Sequence, residues 1–197
     1  MRPILVTLVA AVLGPGLAPA AAGPLDAPGA AKTLTCSACH GAAGNSRVDV
    51  VPTLAGMAPE YFKKTIEDYA AGRRPSPEME PYAKAIKVLG VDEIARYYAA
   101  QTRELTPVAV DRAAAARGAA AAAPCAACHG ARGEGDAAKL VPALAGQPPG
   151  YLRNQMLLFK TERRSPGDEA LKTVKEVMKP LSDEALADLA AYYATLR

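Results

Sequence analysis

The sequence predicts an all-α protein built as two tandem copies of one small domain. Ordered sets of residues recur about ninety positions apart, and the apolar residues between them fall at helical spacing rather than in alternation. A further observation says what each copy is built around: the pentapeptide Cys36-Ser37-Ala38-Cys39-His40 has a twin in Cys125-Ala126-Ala127-Cys128-His129. Cysteines three apart share one helical turn, where both thiols can form thioethers to the vinyl groups of a haem, and the adjacent histidine can ligate the iron. These pentapeptides contain all four cysteines and both histidines of the chain, leaving none for a separate disulfide, zinc site or imidazole base. A redox-active dithiol would be expected near a βαβ pattern. Half a zinc site would require adjacent Cys and His side chains to coordinate in both copies. Two covalently attached haem c groups are therefore expected.

From the start of the chain, Met1-Arg2 supplies a positive end, Ile4 to Leu13 an apolar run, and Ala18-Pro19-Ala20 a small-residue cleavage site. Residues 1–22 read as a secretory signal peptide, cut after Ala20 or Ala22, which places the mature protein in the periplasm. The apolar run is too short to span a bilayer, and Gly14, Pro15 and Gly16 interrupt it; an uncleaved anchor is the alternative.

Gly29 precedes Cys36 by seven positions, as Gly118 precedes Cys125. Pro52-Thr53-Leu54-Ala55-Gly56 returns as Pro142-Ala143-Leu144-Ala145-Gly146, and Tyr61 as Tyr151. Arg73-Arg74 returns as Arg163-Arg164, and Tyr97-Tyr98-Ala99 as Tyr192-Tyr193-Ala194. Matches in one order on both sides of a single linker mean a duplicated domain, because a solenoid needs a shorter period and more copies. The division expected is 23–103 for the first domain, 104–110 for the linker and 111–197 for the second. Each copy is small for an unaided core, and a covalently held haem supplies an apolar body to pack around.

Within each copy the periodicity is helical. Pro59 and Pro148-Pro149 mark helix starts, and Phe62, Ile66 and Tyr69 in one copy, with Leu152, Met156 and Phe159 in the other, make an inward face. Ser182 is a candidate N-cap for a closing helix striped by Leu186, Leu189, Tyr193 and Leu196, and a helix of the second copy is expected to start near Asp111. The β-branched run Val48 to Val51 lacks a partner, and the alanine tract from Ala113 to Ala123 reads as helix rather than membrane.

The formal net charge of +3 is small and dispersed: residues 23–105 carry ten basic and ten acidic side chains, and 106–197 twelve and ten. Nucleic acid is excluded as a partner on that balance, and no single-sign docking surface emerges.

Two CxxCH units, each followed by Pro-x-Leu-Ala-Gly, Tyr, Arg-Arg and a closing Tyr-Tyr-Ala, resemble the dihaem cytochrome c4 family, a tandem pair of class I cytochrome c domains. The resemblance covers nearly the whole mature chain. It implies that His40 and His129 are proximal iron ligands, oriented by the carbonyls of Pro52 and Pro142. That agrees with the need of a metal-bound histidine for an acceptor at its other nitrogen. Leu54 and Leu144 would pack on the haems, or serve as ordinary core leucines.

Methionine is the usual sixth ligand in that family. Met79, between two glutamates in a Pro-bracketed loop, is the candidate for the first haem. Counting back eighteen residues from Tyr97 and from Tyr192 sets Met79 opposite Val174, which cannot ligate. Met178, four residues later, is then the candidate for the second haem. The competing readings leave that iron five-coordinate, with Met178 in the core, or bind it by Lys172 or Lys175. Met57, after the Pro-Thr-Leu-Ala-Gly turn, and Met156, on a helical face, are the poorer ligand candidates, with packing the better reading. Arg73-Arg74 and Arg163-Arg164 are open to two readings, as partners of haem propionates or as solvated surface, and Tyr61 and Tyr151 are read as core aromatics with the hydroxyl at a polar edge, propionate contact being the alternative.

The expected function is single-electron transfer between a respiratory donor and a terminal oxidase or reductase, redox protein partners of a kind that includes membrane-bound complexes. No small-molecule substrate is expected and the chain is not expected to be an enzyme, since no His or Cys is spare for acid–base or nucleophilic work. The alternative is the haem subunit of a multi-subunit oxidoreductase such as a flavoprotein sulfide dehydrogenase. A ligand-binding sensor with an open iron position is a third reading.

Overall fold

The computed structural model describes residues 26–197, so the expected signal peptide lies outside the described residues. They form a helical chain with one isolated antiparallel bridge, Asp136 to Val141, in place of any sheet. The first repeat contains α1 (Leu34–His40), α2 (Pro59–Ala70), α3 (Met79–Leu89) and α4 (Val91–Ala99). The second contains α5 (Arg112–Ala121), α6 (Ala123–His129), α7 (Pro149–Lys160), α8 (Lys172–Met178) and α9 (Asp183–Ala194). Short 3-10 turns at Ala30–Thr33, Ala42–Gly44, Ala137–Lys139 and Glu169–Leu171 join them.

The starts follow from local chemistry. Pro59 and Pro149 open α2 and α7, where a missing N–H costs nothing. Asp111 accepts from the amides of Ala113 and Ala114 and so caps α5, and Ser182 accepts from Ala185 to cap α9. Asp183 and Glu184 then sit at the positive end of α9. The closing stripe is buried at Leu186, Leu189 and Tyr193, while Leu196 lies beyond the helix end.

Gly29 and Gly118 recur for a steric reason. A Cβ on Gly118 would stand 2.0 Å from the Asp188 carbonyl oxygen, so α5 can cross α9 only at this glycine. In the first repeat a Cβ on Gly29 would stand 2.9 Å from the Glu93 carbonyl oxygen on α4. Arg117 then ties the α5–α9 crossing with two bonds to the Asp188 carboxylate, at 2.7 and 2.8 Å.

The core of the first repeat is one apolar cluster containing Leu54, Met57, Phe62, Ile66, Tyr69, Ala83, Ile86, Ile94 and Tyr98, with Cys36 and Met79 packed against it. The second repeat has two clusters. Cys125, Tyr151, Leu152, Leu189, Ala190 and Tyr193 form one, and Phe159, Met178 and Leu186 the other. Met156 and Leu181 touch both.

The repeats are joined by buried hydrogen bonds. The Gln147 side chain accepts from Thr53 N–H at 3.0 Å and donates to Thr53 C=O at 2.8 Å, mimicking a strand pairing with an amide. Arg103, between α4 and α5, donates to the carbonyls of Ala55 and Ala145, both at 2.9 Å, and so clamps the same position of both repeats. Asp49 meets the start of α7, accepting from Gly150 N–H with its side chain and from Tyr151 N–H with its carbonyl.

Candidate haem sites

Each CxxCH unit lies on a short helix that ends at its histidine. The next residue, Gly41 or Gly130, has a φ of 77° or 80°, and a Cβ on Gly41 would meet the Asn45 carbonyl at 2.0 Å. The glycine turns the chain back and leaves the imidazole facing inward. His40 donates from Nδ1 to the Pro52 carbonyl at 2.8 Å, and His129 to the Pro142 carbonyl at 2.9 Å. A carbonyl can only accept, so Nδ1 holds the proton and Nε2 keeps its lone pair for a metal. Burial lowers the pKa of both histidines against the opposing pull of these carbonyls, which favours the neutral imidazole that ligation needs.

In the first repeat, a cavity is lined by Cys36, His40, Leu54, Ile66, Met79 and Tyr98, among others. His40 and Met79 therefore face one space. Met57, the poorer ligand candidate by sequence, also lines it. The Tyr98 hydroxyl is buried beside Cys36 and makes no hydrogen bond of ordinary geometry, which suits the wall of a cofactor cavity. Burial pushes the thiols of Cys36 and Cys125 up, opposite to the lowered value of a redox-active pair. An apolar cavity with a free imidazole nitrogen, a thioether and Cys36 at its wall, and Cys39 on the same short helix, fits a covalent haem. In the second repeat His129 holds the same geometry on Pro142, while Met178 is buried with Phe159 and Leu186, outside the cluster that contains Cys125.

The arginine pairs divide. Arg73 and Arg163 are exposed, whereas Arg74 and Arg164 are 1% and 8% exposed and meet between the repeats, so solvated surface is the wrong reading for them. Arg74 donates to the Tyr151 hydroxyl, and Arg164 to the Tyr61 hydroxyl, each reaching into the other repeat. Both also donate to the same Gln155 side-chain oxygen, at 3.0 and 2.8 Å. The guanidinium of Arg74 lies over Tyr69 and that of Arg164 over Phe159, at 4.8 and 4.3 Å from the ring centres. No carboxylate among the described residues pairs with either, and Arg164 Nε has no partner. Burial pushes the Tyr61 hydroxyl up, but the charges of Arg164 and Arg74 outweigh it and hold the group down at about 8. Two buried cations without a counter-charge mark a place for an anion.

Comparison with known proteins agrees with this chemistry. The Cytochrome c family model matches residues 115–197. A cytochrome c4 of Pseudomonas aeruginosa is 32% identical over 98% of this chain and 98% of its own. The chain belongs to the cytochrome c4 family. Its fold is two tandem class I cytochrome c domains, each built around a covalently attached haem c, and it serves as an electron carrier rather than a catalyst. The structure of reduced cytochrome c4 from Pseudomonas stutzeri superposes with a TM-score of 0.77 at 27% identity, covering 85% of this chain and 96% of that one. A thiosulfate dehydrogenase electron acceptor of Stutzerimonas stutzeri is 31% identical over 83% of this chain and 79% of its own. Among the described residues no helix is long and apolar enough to cross a membrane.

Proposed function

We propose that this cytochrome c4 relative works in the periplasm, carrying single electrons between a respiratory donor and a terminal oxidase or reductase. Residues 1–22 serve as its signal peptide, 23–103 and 111–197 as its two haem domains and 104–110 as their linker. The single observation that supports this best is the matched pair of imidazoles, each held by a proline carbonyl beside its own CxxC. Cys36 and Cys39 would attach the first haem, and His40 and Met79, which line one cavity, would ligate its iron. Cys125, Cys128 and His129 would hold the second, for which the sequence offers Met178 as a further ligand. Bound haem supplies the one-electron couple. The chain fixes each imidazole, excludes water from the cavity wall and brings the two repeats together. Arg74 and Arg164, buried without a carboxylate, would receive haem propionates, since the guanidinium fork matches a carboxylate.

Purified holoprotein should show two haems per chain by pyridine haemochrome assay, reversible one-electron titration and electron delivery to an oxidase without turnover of any small substrate. Substrate-dependent turnover without an added redox partner would reject the carrier. A propionate beside Arg74 and Arg164 also cancels their pull on Tyr61, so its ionisation should move above pH 8 in the holoprotein. A tyrosinate appearing near pH 8 in ultraviolet titration would count against that placement.

A second reading, the haem subunit of an enzyme, is favoured by the likeness to a thiosulfate dehydrogenase electron acceptor. Co-purification of a catalytic partner at fixed stoichiometry would support it, and a stable solitary chain would count against it.

A further inference from the structure

The close approaches between helices fix how the two repeats correspond. Gly29 meets Glu93 and Tyr97, and Gly118 meets Asp188 and Tyr192; Gly44 abuts the ring of Tyr98, and Gly133 that of Tyr193. Residues on α4 and α9 thus match at a separation of ninety-five. Carried back along the chain, that separation sets Val174 at the place of Met79 and Met178 at the place of Ala83. Ala83 is a fully buried core residue that does not line the cavity around His40. Met178 occupies a corresponding core position, packed on Phe159 and Leu186.

Helices α2 and α7 correspond at a separation of ninety, since Tyr61 and Tyr151 both reach the opposite repeat's buried arginine. Met156 then stands at the place of Ile66, and Ile66 lines the cavity with Cys36, His40 and Met79. Met156 is also the methionine packed against the cluster that contains Cys125. The lysines are engaged elsewhere: Lys175 donates to the Ser165 carbonyl at 2.5 Å, and Lys172 is exposed near Glu169.

We propose that Met156 on α7, and not Met178, supplies the sixth ligand of the second haem. The thioether would be supplied from a helix face, Met156 on α7, in this repeat and from the start of α3, Met79, in the other. Methionine suits the task because its unbranched chain with three rotatable bonds can extend past the wall that Ile66 forms in the first repeat. The proposal rests on the two-haem reading above.

The test uses full-length holoprotein and the near-volume-conserving variants Met156→Leu and Met178→Leu. Haemochrome stoichiometry, the methionine-to-iron charge-transfer band of the oxidised protein and the two potentials are read for each. Met156→Leu is expected to keep two haems, lose half of the band, lower one potential and bind carbon monoxide rapidly at one reduced haem. Met178→Leu is expected to keep the full band. If Met156→Leu loads one haem only, Met178→Leu decides alone, its full band supporting the proposal. A halved band in Met178→Leu, a full band in Met156→Leu, or a wild-type band worth one haem overturns it. Fewer than two haemochromes per wild-type chain would instead sink the two-haem reading itself.

Discussion

In the first repeat Met79, Ala83 and Ile86 run along α3 into the same apolar cluster as Cys36. In the second, Val174, Met178 and Leu181 take the corresponding places, and the cluster containing Cys125 is separate from the one built on Met178. The histidine sides show no such divergence, with imidazole-to-carbonyl distances of 2.8 and 2.9 Å. The difference has a source in chain length. Arg74 is five positions before Met79 and Arg164 is ten before Val174, and the added residues form the turn at Glu169–Leu171 before α8. The connection that orients each imidazole is nearly the same in both repeats, at twelve and thirteen positions from histidine to proline, whereas the segment before the far wall doubles from five positions to ten.

The largest effect that separates the repeats should come from removing the attachment of one haem. Cys125→Ala with Cys128→Ala should halve the haemochrome absorbance and give the second repeat its own early unfolding transition, because that core closes on its cofactor. Retention of two haems per chain would contradict this. Next come the helix crossings. Gly118→Ala should cost about 3 kcal/mol or more, since a backbone carbonyl blocks the Cβ. Gly29→Ala, with a less severe approach but a φ of 85°, should lose roughly 1–2 kcal/mol from its left-handed backbone. Denaturant unfolding of both holoproteins ranks the two crossings, and equal losses would mean that they are equivalent.

The interface has its own asymmetry, because Gln147 stands where the first repeat has Met57. Gln147→Ala strands the Thr53 N–H and C=O, and should cost about 2 kcal/mol. An unchanged unfolding midpoint would show that water replaces the amide. The smallest effect is expected at the caps, where Ser182→Ala should remove about 1 kcal/mol from α9. Helix α4 opens without a side-chain cap, so Asp92→Ala should change stability less than Ser182→Ala does.

The sequence by itself determined the duplication, the helices with their proline and aspartate starts, and the cysteine and histidine pairs, because each is a matter of local spacing. Tertiary structure decided the rest. Arg74 and Arg164 read equally well as solvated cations or propionate partners until docking buried both, since their hydroxyl partners Tyr151 and Tyr61 belong to the other repeat. Met156 read as packing because a helical stripe does not say which of its members faces a cofactor. Counting back from Tyr192 had already set Val174 against Met79, but the same comparison along α2 and α7 would have set Met156 against Ile66. What made Ile66 significant was the cavity it lines with His40 and Met79, which is formed by segments far apart in the chain.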